Sequence, residues 1–202
     1  MANYFITGIG TGIGKTLISA ILAEKLEADY WKPIQSGDLD QSDSLTISSL
    51  VSNSKTYIHP ETYRLSQPLS PHLSARLDGI VIALEKMNIP PTRNDLIIEG
   101  AGGLMVPLNE TTLIVDFIKK LNTEVILVSQ NYLGSINHTL LSINLLNQYQ
   151  IKLKGIIFNG DENAETERYI LHYSKAKKLG NIPSLTDINK NLIKVLGKQI
   201  SL

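Results

Sequence analysis

The chain has 202 residues, with 19 Lys and Arg against 19 Asp and Glu, so its formal net charge is zero. A balanced chain lacks the basic excess of a nucleic-acid or polyanion binder, and the absence of cysteine excludes disulfide frameworks, thiolate metal sites and cysteine nucleophiles. Hydrophobic residues at 43% suit an ordinary globular domain, and no apolar run approaches the roughly 18 residues of a membrane span. No signal peptide precedes the first glycine cluster, so one cytoplasmic domain over residues 1–202 is expected.

In chain order, Tyr4–Thr7 reads as a strand that runs into a glycine cluster, and Leu17, Ile18, Ile21, Leu22 and Leu26 follow at helical spacing. Tyr30–Lys32 is a second short strand. The stretch 52–76, broken by Pro60, Pro68 and Pro71, reads as loop, and 88–94 as a connector. Leu96–Ile98 is a third strand, entering Gly100-Ala101-Gly102-Gly103. Val125–Val128 and Gly155–Phe158 are the fourth and fifth, separated by a long buried helix carrying Ile136, Leu140, Leu141, Ile143 and Leu145. Strands apolar on both faces and separated by helices imply a three-layer α/β fold with a mainly parallel central sheet. Ligands of such sheets bind outside the carboxyl ends of the strands, so the informative residues should follow Thr7, Trp31, Ile98 and Phe158.

Thr7-Gly8-Ile9-Gly10-Thr11-Gly12-Ile13-Gly14-Lys15-Thr16 joins a strand to a helix. Glycines there let backbone N–H groups turn toward phosphate oxygens, Lys15 reaches the β/γ-phosphates, and the Thr16 hydroxyl is placed for Mg²⁺. The strict motif would need Gly at position 9, which is Ile, so this is a longer variant of the P-loop. Mg²⁺ requires further hard oxygen ligands. Glu99 ends an apolar strand and is one candidate. Asp43 is another, although alone it reads as a first-turn helix residue capped by Ser42.

Several blocks, in order, resemble the dethiobiotin synthetase family of P-loop proteins. They are the loop itself, Trp31-Lys32-Pro33-Ile34-Gln35-Ser36-Gly37, Ser42-Asp43, Ser70-Pro71-His72, Glu99-Gly100-Ala101-Gly102-Gly103 with Pro107, Leu133-Gly134-Ser135-Ile136-Asn137-His138, Asn159, and Leu179-Gly180-Asn181-Ile182-Pro183. The resemblance implies a P-loop NTPase fold and a ligase that joins 7,8-diaminononanoate, CO₂ and ATP into dethiobiotin, ADP and phosphate. It implies a carbamate and then a carbamic–phosphoric mixed anhydride, with Mg²⁺ as cofactor. By the same resemblance, Lys32 and Lys15 are the catalytic lysines. Gly12, Ile13, Gly14, Lys15, Thr16, Leu17, Asp43, Glu99, Gly100, Ala101, Gly102, Asn159, Gly160, Pro183, Ser184 and Leu185 hold the nucleotide. Thr11, Lys32, Ser36, Ser135, Ile136 and Asn137 hold the substrate, and Thr16, Asp43 and Glu99 the metal. Residues 135–137 would begin a helix whose amides bind the substrate carboxylate across a homodimer. A plain capped helix start, with Ser135 or Asn137 as N-cap, is compatible with that role. No role falls to His72 or His138.

Two departures stand out. Gly10 replaces the family's usual Asp, and Gly12 its frequent Glu. The family's further acidic nucleotide contact is either Asp187 or missing. Two other readings share the fold. A positioning ATPase of the deviant P-loop group would carry a signature lysine at position 10, which is Gly. A cobyric-acid-type amide ligase would need a glutaminase domain as well.

Overall fold

The computed structural model covers residues 1–202. β1 (Asn3–Gly8) leads into α1 (Lys15–Leu26) and then β2 (Asp29–Trp31), β3 (Ile34–Ser36) and α2 (Asp43–Leu50). β4 (Ile58–His59), β5 (Tyr63–Leu65), α3 (Pro71–Leu77), β6 (Leu96–Glu99) and α4 (Ile114–Leu121) follow. The last third holds β7 (Glu124–Ser129), α5 (Ser135–Gln148), β8 (Leu153–Asn159), α6 (Ala164–Ser174), β9 (Lys178–Ile182) and α7 (Lys190–Leu196).

Seven strands form one sheet in the order β4-β2-β6-β1-β7-β8-β9, and every pair in it is parallel. Alternate residues of the central strands face opposite layers. Ile6, Ile97 and Ile126 pack with Ile18, Ile21 and Leu22 of α1, whereas Phe5, Ile98 and Val125 pack with Val115 and Phe117 of α4. Burial on both faces explains why these strands read as unbroken apolar runs. A smaller cluster under α5 and α6 gathers Leu127, Ile143, Phe158 and Ile170.

The expected strands are present, and three expectations are corrected. The stretch read as loop, 52–76, contains β4, β5 and the start of α3, and β5 pairs with β3 in a separate two-stranded sheet. These strands have two or three residues each, too short for a hydrophobic period to show. The helix expected around Ile136–Leu145 is α5, but it turns Ser135, Thr139, Ile143 and Leu146 inward and leaves Leu141 58% exposed. Its N-cap is Gly134 at φ 103, not Ser135 or Asn137.

Register sets the site. Ile6 of β1 lies opposite Glu99 of β6, and Trp31 of β2 opposite Ile98. The phosphate loop, Glu99 and Lys32 therefore leave the sheet side by side at its carboxyl edge.

Candidate active site

Backbone conformation shapes the loop between β1 and α1. Gly14 caps α1 at φ 89, and a Cβ there would come within 2.2 Å of Asn159 Nδ2, so both conformation and space demand glycine. Asn159, at the end of β8, donates from Nδ2 to the Ile13 carbonyl at 2.9 Å and braces the loop from behind. Lys15 is 8% exposed and folds back to donate to the Gly10 carbonyl at 3.0 Å.

Next to the loop lies a buried charge cluster. Lys32 Nζ is 2.5 Å from Asp43 Oδ2 and 3.0 Å from Glu99 Oε1, and donates to the Gly100 carbonyl at 3.2 Å. Thr16 Oγ1 stands 2.7 Å from Asp43 Oδ1 and 2.9 Å from Glu99 Oε1. The Tyr30 hydroxyl donates to Glu99 Oε2 at 2.9 Å. Asp43 is reached through α2, whose N-cap Ser42 accepts from the Leu45 amide. Ser42 therefore caps α2 as expected, and the same turn places Asp43 beside Lys32 and Thr16.

Burial and neighbouring charge act against each other in this cluster. Burial alone would lower the Lys32 pKa, but the Glu99 and Asp43 carboxylates raise it above the ordinary lysine value. Burial would raise Asp43, yet Lys32, Thr16 and Lys15 bring it below the ordinary carboxylate value. Lys15 is lowered to about 8 by burial, with Lys32 adding to the shift and Glu99 and Asp43 opposing it. Burial and the Glu99 charge raise Tyr30 well above an ordinary phenol, so it remains a donor.

A cleft of about 780 Å³ opens over the cluster, lined among others by Thr11, Gly12, Gly14, Lys15, Thr16, Lys32, Ser36, Asp43, Glu99, Ala101 and Gly102. The Ser36 hydroxyl is buried and has no hydrogen-bond partner within the chain. Gly100 lies just below this wall against the Phe5 ring, and Ile13 and Leu17 pack into the core beneath the loop. Gly160, Pro183, Ser184 and Leu185 do not line this cleft; Gly160 follows β8, where its amide donates to the Ile182 carbonyl at the end of β9, and residues 183–185 follow that strand. Asp187 is exposed on the way to α7. Ser135, Ile136 and Asn137 do not reach the cleft: Ser135 is buried at the start of α5, Ile136 half-buried and Asn137 exposed. The sequence reading gave no role to Tyr30, Gln35, Asp38, Leu69 or Val106. Gln35, Asp38, Leu69 and Val106 line the cleft, and Tyr30 lies behind it. Gln35 also accepts from the Asp43 amide at 3.3 Å.

A family model described as an AAA domain matches residues 2–191. A ParA family ATPase from Chlorobium tepidum superposes with a TM-score of 0.62 at 14% identity, over 98% of this chain and 99% of that one. The cell-division ATPase MinD of Pyrococcus furiosus gives 0.58 at 11% identity, over 98% of each chain. Fold and loop together define a P-loop nucleotide-binding protein.

The sequence relatives narrow this. Proteins named ATP-dependent dethiobiotin synthetase BioD are 50% identical in Cytophaga hutchinsonii, over 96% of this chain and 94% of theirs, and 54% identical in Christiangramia forsetii, over 89% and 86%. One from Brucella ovis is 47% identical over 93% and 89%. The chain belongs to the ATP-dependent dethiobiotin synthetase family, whose members are ligases.

Proposed function

We propose that the chain, acting as one catalytic unit over residues 1–202, closes the ureido ring of dethiobiotin from 7,8-diaminononanoate, CO₂ and ATP. The observation that carries this reading is the ion pairing of buried Lys32 with Asp43 and Glu99, beside the buried Lys15 of the loop, around a single cleft in a chain of this family. One amine of the diamine attacks CO₂ and loses a proton, giving a carbamate. A carbamate oxygen attacks the γ-phosphorus, the bond to the bridging oxygen breaks, and ADP leaves. The second amine attacks the carbamoyl carbon, the C–O bond to the phosphoryl group breaks, and phosphate departs. No protein nucleophile is needed, which suits a chain without cysteine.

Each step brings anions together, so fixed positive charge carries the catalysis. Lys15 faces the β/γ-phosphates from the loop. Lys32 faces the carbamate and the transferred phosphoryl group. Ser36 and Thr11 offer hydroxyls to the substrate amines and carbamate, and the free Ser36 hydroxyl supports that role. Gly12, Gly14, Gly100, Ala101 and Gly102 allow close backbone approach. Asn159 and Gly160, with Pro183, Ser184 and Leu185, hold the base.

The cleft also fits Mg²⁺. One Thr16 hydroxyl proton stands between two carboxylate oxygens, and Lys15 and Lys32 cancel only the charges of Asp43 and Glu99. An arriving triphosphate is left without a counter-charge. A hydroxyl and two carboxylates form the partial oxygen set that Mg²⁺ completes with phosphates and water. Thr16, Asp43 and Glu99 would hold the ion, which would offset charge on the phosphates.

The substrate carboxylate is assigned to the amides of residues 135–137, supplied by the second subunit of a homodimer. Two features support this: those residues do not reach the cleft of their own chain, and Leu133, Leu141 and Met105 stand 104%, 58% and 61% exposed. Leu141, Met105 and His138 border an apolar groove of about 420 Å³ suited to a second copy. The reading places the enzyme in the cytoplasm with no nucleic-acid or membrane partner. No helix is long and apolar enough to cross a membrane.

The direct test is phosphate release by purified protein given 7,8-diaminononanoate, bicarbonate and Mg²⁺, with ATP and GTP in parallel. Release should require the diamine. Equal hydrolysis without it would refute the ligase reading and favour a nucleotide-driven switch.

A further inference from the structure

Tyr30 is fully buried and does not line the cleft. Its polar contact is the hydrogen bond to Glu99 Oε2 at 2.9 Å, while Glu99 Oε1 faces Thr16 Oγ1 at 2.9 Å and Lys32 Nζ at 3.0 Å. The two carboxylate oxygens therefore differ: one is tied to the core and the other is presented to the site. Sheet register makes this possible. Tyr30 lies opposite Ile97, two residues before Glu99 on β6, so phenol and carboxylate share the sheet face covered by α1, the helix that carries Thr16. The long phenol spans that two-residue offset along the parallel pair and reaches the carboxylate. A strand-end glutamate has a broad terminal torsion, and a single fixed donor on one oxygen removes that freedom.

We infer that Tyr30 is a positioning residue that orients the Glu99 carboxylate, so that Oε1 meets a divalent cation beside Thr16 and Asp43. The inference rests on the proposed metal role of Glu99. Tyr30 touches no reacting atom and acts only through that carboxylate.

The test uses Mn²⁺ as probe on ADP-loaded full-length protein, with free Mn²⁺ measured by electron paramagnetic resonance, so no turnover is involved. Tyr30→Phe should weaken Mn²⁺ binding about tenfold, the scale of losing an outer-shell partner of a metal ligand. ADP binding in EDTA should be unchanged. In a Glu99→Gln background, Tyr30→Phe should add nothing, because the path through the carboxylate is already cut. If Tyr30→Phe lowers the melting temperature but binds Mn²⁺ like the parent, while Glu99→Gln weakens it, the inference fails and the metal site stands. If Glu99→Gln also binds like the parent, the metal reading fails and takes the inference with it. Tyr30→Met is the second donor-free variant should the phenylalanine protein unfold. Loss of fold in both would assign the phenol to core stability and overturn the inference.

Discussion

The cleft at the ends of β1, β2 and β6 and the N-terminal turn of α5 are organised in opposite ways. In the cleft, the buried charges are balanced within the chain: Lys32 pairs with Asp43 and Glu99, and the Thr16 hydroxyl touches both carboxylates. Around the start of α5, Leu133 and Leu141 face solvent and no side chain caps the helix. The first region is complete within one chain. The second makes sense when a second chain covers it. On the proposed function, chemistry and substrate orientation divide between these two regions, the second of which would depend on assembly.

The sharpest way to break that contrast is at Lys32. Lys32→Ala should abolish turnover, and it should also lower stability by about 3 kcal/mol, because it leaves a buried carboxylate without its cation. Chemical denaturation beside the phosphate assay checks both effects; full stability with normal turnover would remove Lys32 from both roles. Glu99 is the more buried carboxylate, its side chain 1% exposed against 30% for Asp43, so most of the stability loss should trace to the Glu99 pair.

On the assembly side, Leu141→Asp should shift the protein toward monomer in sedimentation. The KM for the diamine should rise about tenfold, an effect of roughly 1.4 kcal/mol, while ADP affinity stays unchanged. A monomer with an unaltered KM would disprove a shared substrate site.

Lys15 gives a pH-dependent prediction. With its pKa lowered to about 8, it loses its charge as pH rises through that value, before an ordinary lysine would. Nucleotide phosphates favour the charged form, so binding above pH 8 should take up a proton and weaken by up to about tenfold per pH unit. Calorimetry in buffers of different ionisation enthalpy detects that proton. The same shift has a stability consequence of opposite sense. Between about 8 and the ordinary 10.5, the unfolded chain binds more protons at this residue, so its contribution to stability rises with pH.

The smallest effects concern the two loop glycines Gly10 and Gly12. A Cβ at Gly10 would meet no atom within 4 Å and the residue has no positive φ, so Gly10→Asp should leave stability unchanged. Gly12 has φ 73, and Gly12→Glu should cost about 1 kcal/mol for the left-handed backbone. Thermal melts separate the two.

What the sequence disclosed follows the same division. Five strands of the central sheet were legible because both faces are apolar. β4 and β9 were not: β4 has two residues, and β9 carries Gly180 and Asn181 in its five. The inward face of α5 was misread because Ser135 and Thr139 are buried through hydrogen bonds while Leu141 faces out. Hydrophobicity marks burial, not which surface does the burying. Lys15, Thr16 and Glu99 stood out by their spacing around glycines. Tyr30 and Gln35 did not, since their residue types fit a buried strand equally well and only the cross-strand register shows what they touch. The fold alone would have misled, because a ParA family ATPase and a MinD ATPase share it at 14% and 11% identity.

The most direct test of the central claim follows oxygen. Supplied with freshly added doubly ¹⁸O-labelled CO₂, the diamine and ATP, the enzyme should place one label in each phosphate released and the other in the ureido carbonyl of the product. Both are read by mass spectrometry before exchange with water. Phosphate free of label would show that water, not a carbamate oxygen, attacks the γ-phosphorus, and would contradict the account.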